Sequence, residues 1–214
     1  MNPSLDHSTT VILFFICICS LLFFLVYPSK LSPGVNVPLS LLCVFGSGGH
    51  TKELLSLLQS LPRSIYSTRS YIRAITDQTS IPSAVSCGEL SPSTFVHSIP
   101  RAREVGQSFF TAVWTTVLSF YKTLGILSVV QPHILLVNGP GTCLPVCIAA
   151  VLLRFVGLLP GSLQVVFIES ACSVDNLSLT GKILYNFRLA DVVAVQWSQL
   201  AAKHPRVVYI GLQI

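Results

Sequence analysis

Apolar residues in this chain fall into short blocks whose period changes. Strand-like runs cover Leu39–Phe45, Tyr71–Thr76, Thr94–Ile99, Ile134–Asn138, Gln164–Glu169, Val192–Gln196 and Val207–Ile210. Helix-like runs cover Thr51–Ser60, Val105–Val129, Thr142–Val156, Leu179–Arg188 and a short stretch near Ser198–Lys203. Strands that are apolar at successive positions are buried on both faces, and they alternate here with helices. That order predicts an α/β fold: a doubly wound, mostly parallel sheet with helices on both sides. No internal repeat and no low-complexity tract interrupts it.

One block stands apart. Val11–Tyr27 (VILFFICICSLLFFLVY) carries no charge and is about the minimum length for a bilayer helix. A cleaved signal peptide is the rival reading. Against it, the N-terminal flank holds Asp6 and His7 but no Lys or Arg, and no small-x-small cleavage site comes after it. The nearest fixed positive charge, Lys30, lies on the C-terminal side, which places the N-terminus away from the cytosol and the remainder in it. The expected layout is a short non-cytosolic N-terminus (1–10), a transmembrane anchor (11–27), a linker (28–38) and a cytosolic domain (39–214). Pro28, Pro33, Gly34 and Pro38 punctuate the linker.

A second apolar stretch, Cys143–Leu159, is broken by Pro145, Arg154 and Gly157. A spanning helix would hold Arg154 inside the membrane at high cost. The expected reading is a sheet-covering helix, with shallow membrane contact as the lesser option. The run Phe109–Trp114 is open in the same way.

Composition narrows the classes. The chain has 214 residues, 51% hydrophobic and 10% charged, against about 25% charged in ordinary soluble domains. The length suits one domain plus an anchor, or two small domains. The net charge of +5 is spread along the chain. Without a Lys/Arg run or interleaved aromatics, nucleic-acid binding is not expected. A weak pull toward anionic lipid or phosphate is compatible with that charge. The seven cysteines are an odd count. Cys143 and Cys147 would share a helix face, but no His or Cys cluster completes a metal site. Buried free thiols in a reducing compartment are the simpler reading. Asn176-Leu177-Ser178 matches a glycosylation sequon that stays silent in the cytosol.

Candidate chemistry gathers at strand ends, where a doubly wound sheet collects its ligands. After the first strand comes Gly46-Ser47-Gly48-Gly49-His50-Thr51, then an apolar helix. Glycines permit a tight turn and close backbone approach, and the free N–H groups of the next helix favour an anion. The order lacks the G-x-G-x-x-G of a dinucleotide site and the Lys of a P-loop. A plain strand-to-helix connection capped by Thr51 or Ser47 is the bland alternative. His50, at the helix N-terminus, suits a general base or phosphate contact, or is an ordinary surface histidine. The second turn is Asn138-Gly139-Pro140-Gly141-Thr142, equally readable as a Pro/Gly turn. The third is Glu169-Ser170, where an unpaired buried carboxylate would be costly. The fourth is Gln196-Trp197-Ser198. Asp191 is expected to cap or pair rather than react.

Read in order, GSGGHT, NGPGTCLPVC, ES, LSLTGKILY, AD and VQW resemble the membrane subunit of the two-part UDP-N-acetylglucosamine transferase of asparagine-linked glycosylation. The resemblance runs from Leu39 to the C-terminus. It implies a Rossmann-like, acceptor-binding half of a two-domain (GT-B) glycosyltransferase, as in the bacterial enzyme that makes lipid II. A separate soluble subunit would bind UDP-GlcNAc and be recruited to the cytosolic face of the endoplasmic reticulum. Together they would add the second GlcNAc to dolichyl-pyrophosphate-GlcNAc, so the chain alone is expected to be inactive. Chain length agrees, since the stretch after the anchor suffices for one such domain. The resemblance assigns Gly46, Ser47, Gly48, Gly49, Asn138, Gly139, Gly141 and Thr142 to the acceptor. His50 would be the general base, with Glu169 second or assisting the acceptor. Tyr209, Ile210, Gly211, Leu212, Gln213 and Ile214 correspond to the partner-docking tail. No cofactor or metal is implied. The family commonly reads E-S-x-x-R-V, whereas here Ser173 stands where the arginine falls, and Arg188 is the available substitute. A self-sufficient membrane enzyme and a non-catalytic scaffold are the competing functions.

Overall fold

The computed structural model describes residues 38–91, 94–102, 109–139 and 141–212. The expected anchor Val11–Tyr27 and nearly all of its linker lie outside the described residues.

Seven strands form one parallel sheet: β1 (Ser40–Val44), β2 (Thr68–Ala74), β3 (Val96–Ile99), β4 (Ile134–Asn138), β5 (Gln164–Ile168), β6 (Val192–Val195) and β7 (Val207–Tyr209). Their order is β3-β2-β1-β4-β5-β6-β7. The chain winds outward from β1 to β3, returns to lay β4 beside β1, and winds outward the other way. Cys43 of β1 is in register with Tyr71 of β2 on one side and Leu136 of β4 on the other. The winding reverses between β1 and β4, and a crevice opens at the carboxyl ends of strands at such a point.

The helices are α1 (Gly49–Ser60), α2 (Ser80–Ser86), α3 (Phe109–Val130), α4 (Cys143–Phe155), α5 (Leu179–Asn186) and α6 (Ser198–Lys203). Alternate strand residues feed two cores, as the two-residue period requires. Leu41, Cys43 and Phe45 pack with Leu54, Leu55 and Leu58 of α1 and Ala84 of α2. Leu42 and Val44 pack with Leu127 of α3, Cys147 and Ala150 of α4, Leu184 of α5 and Leu200 of α6.

Cys143–Phe155 is the sheet-covering helix expected from its interruptions, with eight of its residues buried. α3 is more divided. Ala112, Ser119, Thr123 and Leu127 are buried, while Val113, Trp114, Tyr121 and Val129 are exposed. Thr111–Val130 is long and apolar enough to cross a membrane by length and composition. A helix of this kind also serves as a cover whose outer face stays apolar.

Two elements depart from the sequence reading. β2 begins at Thr68, ahead of its apolar run, because Arg69 is buried in place. Its guanidinium donates to Glu89 Oε1 (2.7 Å) and to the carbonyls of Leu58 (3.1 Å) and Leu61 (2.9 Å). Glu89 also accepts from Arg63 (2.9 Å) and from the Tyr71 hydroxyl. Helix α2 has no counterpart among the expected elements. Its seven residues, SIPSAVS, are too few and too polar to display a helical period.

Candidate functional site

The turns after β1, β4 and β5 meet at the carboxyl edge of the sheet. A pocket of about 270 Å³ is lined there by His50, Gly139, Glu169, Ser170, Cys172, Ser173 and Ser178. The fourth turn supports the third: Gln196 Nε2 donates to Glu169 O (3.0 Å), and Trp197 Nε1 to Ala171 O (2.7 Å).

Glycine is required where backbones close on His50. A Cβ at Gly46 would stand 2.6 Å from Asn138 O and 2.7 Å from His50 Cβ. One at Gly139 would stand 3.0 Å from His50 Cγ, and Gly139 has φ +114°. The base of the His50 side chain is therefore packed against the first and second turns, while the side chain stays 31% exposed. Ser47 and Gly48 both adopt positive φ (66° and 56°), a conformation non-glycine residues rarely take. Arg101 Nη2 donates to Ser47 Oγ (3.1 Å). Gly48 is the N-cap of α1, and no side chain caps the helix. Thr51 is instead buried and shares a 2.5 Å hydrogen bond with Ser80, so the capping alternative does not hold. The uncapped N–H groups of α1 keep the anion-binding capacity of a helix start.

Glu53, one turn after His50, is absent from the residues expected from sequence. Its Oε1 accepts from Ser170 Oγ (2.9 Å) and the Ala171 N–H (3.2 Å), and its Oε2 accepts from Asn138 Nδ2 (3.1 Å). His50 Nδ1 lies 3.2 Å from Asn138 Oδ1 and 4.0 Å from Glu53 Oε2. One carboxylate thus ties all three turns together. The signal for it is the i,i+3 spacing from His50, which puts the two on one helix face.

Glu169 is 2% exposed, and its charge is met by hydrogen bonds. Oε1 accepts from the Ser170 N–H (3.3 Å) and Ser173 Oγ (3.1 Å). Oε2 accepts from the Ser178 N–H (2.9 Å) and Ser178 Oγ (3.1 Å). Ser178 also caps α5, accepting from the Gly181 N–H (3.0 Å). Glu169 therefore clasps the 170–178 loop to α5. Ser173, in the place of the family arginine, is one of its donors. Arg188 comes after α5, at the end opposite Ser178.

Gly49 opens α1, with open space where a Cβ would stand. Thr142 is a buried N-cap of α4 whose hydroxyl makes no capping bond, and Gly141 precedes it. Of the expected tail, Tyr209 ends edge strand β7, and the residues after it leave the sheet at its carboxyl edge, two strands from β5. Ile210 donates its N–H to Val195 O (3.0 Å), Gly211 has φ +73°, and Tyr209 and Leu212 are about half exposed. Gln213 and Ile214 lie outside the described residues. Asp191 pairs, as expected, with Arg154. Among the described residues, no group of His, Cys, Asp or Glu is arranged to hold a metal.

A similar fold occurs in a solved structure. MurG of Acinetobacter baumannii superposes with a TM-score of 0.58 at 15% identity, over 81% of this chain and 45% of that one. The likeness is one of fold, and this chain spans less than half the length of MurG. Sheet order and this likeness define the class: a Rossmann-like, doubly wound parallel α/β domain that resembles part of the MurG fold. Within it, the chain belongs to the family described as oligosaccharide biosynthesis protein Alg14 like, which it matches over residues 41–213. The human UDP-N-acetylglucosamine transferase subunit ALG14 is 43% identical, over 81% of this chain and 82% of its own length. The Schizosaccharomyces pombe subunit of that name is 41% identical, over 80% and 82%.

Proposed function

We propose that this chain is the membrane subunit of a two-part UDP-GlcNAc transferase. It binds dolichyl-pyrophosphate-GlcNAc and recruits a soluble, UDP-GlcNAc-binding catalytic partner to the cytosolic face of the endoplasmic reticulum. The pair then adds the second GlcNAc of the lipid-linked oligosaccharide. The observation that carries the reading is the convergence of the His50, Asn138 and Glu169 turns on one pocket, in a chain that supplies a single GT-B half. The subunit names of its relatives supply the reaction class.

In this reading the uncapped start of α1, with Gly46, Ser47, Gly48 and Gly49, receives the acceptor pyrophosphate. Asn138, Gly139, Gly141 and Thr142 are assigned to the acceptor side of the same cleft, where Gly139 lines the pocket and Asn138 and Thr142 are buried. The acceptor hydroxyl attacks C1 of the donor sugar, its proton passes to His50, and the bond from C1 to UDP breaks. Glu169, with four donors on its carboxylate, serves by holding the 170–178 loop against the acceptor, and stands second to His50 as base. Tyr209–Ile214 docks the partner, supported by the position of β7 at the sheet edge. Membrane association is supported by the uncharged run Val11–Tyr27 and by the exposed Trp114 and Tyr121 of α3.

The test is reconstitution. The purified chain is expected to transfer no GlcNAc alone and to do so once the soluble partner is added. Robust transfer by the chain alone overturns the subunit reading. Normal transfer by His50→Ala, with partner binding intact, favours a scaffold. Partner retained in a pull-down after removal of the chain from Tyr209 onward overturns the docking assignment.

A further inference from the structure

We propose that Glu53 is a positioning residue that sets the tautomer of His50 through Asn138. The functional part of this rests on His50 as the base; the tautomer does not.

The argument is one of donors and acceptors. An ionised carboxylate only accepts. Glu53 Oε2 stands 3.1 Å from one end of the Asn138 amide, so that end is the NH₂ group. The opposite end, Oδ1, faces His50 Nδ1 at 3.2 Å. A carbonyl oxygen accepts, so Nδ1 carries the hydrogen. In the neutral ring Nε2 then holds the lone pair. Reversing the amide would set its carbonyl against the carboxylate, two acceptors facing each other in a site where Asn138 is 1% exposed. Glu53 cannot turn away to relieve this, because Ser170 Oγ and the Ala171 N–H occupy its other oxygen. The base of the His50 side chain packs against Gly46 and Gly139, which aims its Nδ1 edge at Asn138. The polarity of the whole chain of hydrogen bonds is thus dictated by the one group in it that cannot donate.

The tautomer tracks the charge on Glu53 rather than its bulk. In Glu53→Gln the new amide must meet both the Ala171 N–H and the Asn138 amide. With its oxygen toward Ala171, its NH₂ faces Asn138 and turns the Asn138 amide over. His50 Nδ1 then meets an NH₂ group, and the hydrogen moves to Nε2, the atom that must be bare to accept a proton. The packing changes little.

The test uses the full chain labelled with ¹⁵N-histidine, with the ring nitrogens of neutral His50 read by long-range ¹H–¹⁵N correlation and assigned by loss in His50→Gln. The expected result is the Nδ1–H form in the wild type, and the Nε2–H form or a mixture in Glu53→Gln and Asn138→Ala. An Nε2–H ring in the wild type overturns the proposal, and this needs no variant to fold. So does an Nδ1–H ring unchanged in both variants. With the soluble partner added, Glu53→Gln is expected to lower kcat at least about tenfold, while the acceptor KM stays within about threefold. A KM-only effect overturns the positioning role. If the tautomer responds as expected while His50→Ala still transfers normally, the base assignment has failed and the tautomer assignment has not.

Discussion

Arg154 and Asp191 meet as a fork: Nη1 lies 2.8 Å from Oδ2 and Nη2 3.3 Å from Oδ1, with both side chains nearly buried. Asp191 Oδ2 also accepts the Val165 N–H (2.7 Å), and Arg154 Nη1 donates to Leu163 O (2.5 Å). The pair pins the last turn of α4 to β5 and the start of β6. It also accounts for an arginine within an apolar helix: its charge is neutralised inside the protein, at the edge of the sheet.

Removing one partner leaves the other buried and unpaired. Arg154→Ala is expected to destabilise the domain by ~3–5 kcal/mol, read as a lowered urea midpoint at unchanged slope. Arg154→Leu with Asp191→Asn should recover part of that loss, because no lone charge remains. A midpoint unchanged in Arg154→Ala would show the fork to be dispensable.

Much of this architecture was legible because it rests on period. β4 matches its expected run residue for residue, since Ile134–Asn138 is apolar up to its final Asn and bounded by Pro132 and Gly139. The features that escaped are held by charge rather than pattern. The start of β2 depends on Arg69 finding Glu89, which lies 20 residues away. Helix α2 follows Asp77, three residues ahead of it, whose Oδ1 accepts the Thr79 and Ser80 N–H groups. Glu53 hides in an amphipathic helix, where a carboxylate reads as a solvated surface group. Its partners are Asn138, 85 residues on, and Ser170, 117 residues on. The glycines at 46 and 139 announced a turn, but only the fold shows that both close on one imidazole.

Asp77 gives an acid signature. Burial pushes its carboxyl up, but hydrogen bonds from Ser80 and Thr79 outweigh that and hold it below the ordinary 3.8. Between the folded and ordinary values the unfolded chain binds more protons, so stability rises with pH there. The contribution is complete above 3.8 and is lost as pH falls through the folded value. Asp77→Asn should lower the urea midpoint at neutral pH and flatten its decline in acid. An identical acid decline in both proteins would remove Asp77 from the cause.

The thiols should sort by burial. Burial pushes Cys143 up to about 12, and raises Cys43 and Cys147 well above the usual thiol range. All three sit in the core as inert small hydrophobes. Cys172 is exposed and lines the pocket. A maleimide should therefore modify Cys172 in the folded domain and the three core thiols only after unfolding, as peptide mapping reads. A bulky adduct at Cys172 should lower transfer by the reconstituted pair, and Cys172→Ser should abolish that sensitivity. Labelling of Cys143 before Cys172 would contradict the packing of α4.

Gly181 tests whether the Glu169 clasp matters. In an open helix, Gly→Ala is favourable by about 0.5–1 kcal/mol. At Gly181 the added methyl would overlap Glu169 Oε2, an atom held by the Ser178 N–H and hydroxyl. A free carboxylate would swing aside, but this one can move only by surrendering those bonds and loosening the 170–178 loop. Gly181→Ala is therefore expected to destabilise by ~1–3 kcal/mol, the cost of buried acceptors left short of donors, and to impair transfer. Gly125, inside α3 with open space at its Cβ position, is the control, where alanine should be neutral to stabilising. If both substitutions stabilise alike in urea titrations, the carboxylate yields freely, and Glu169 cannot be what holds the loop against the pocket.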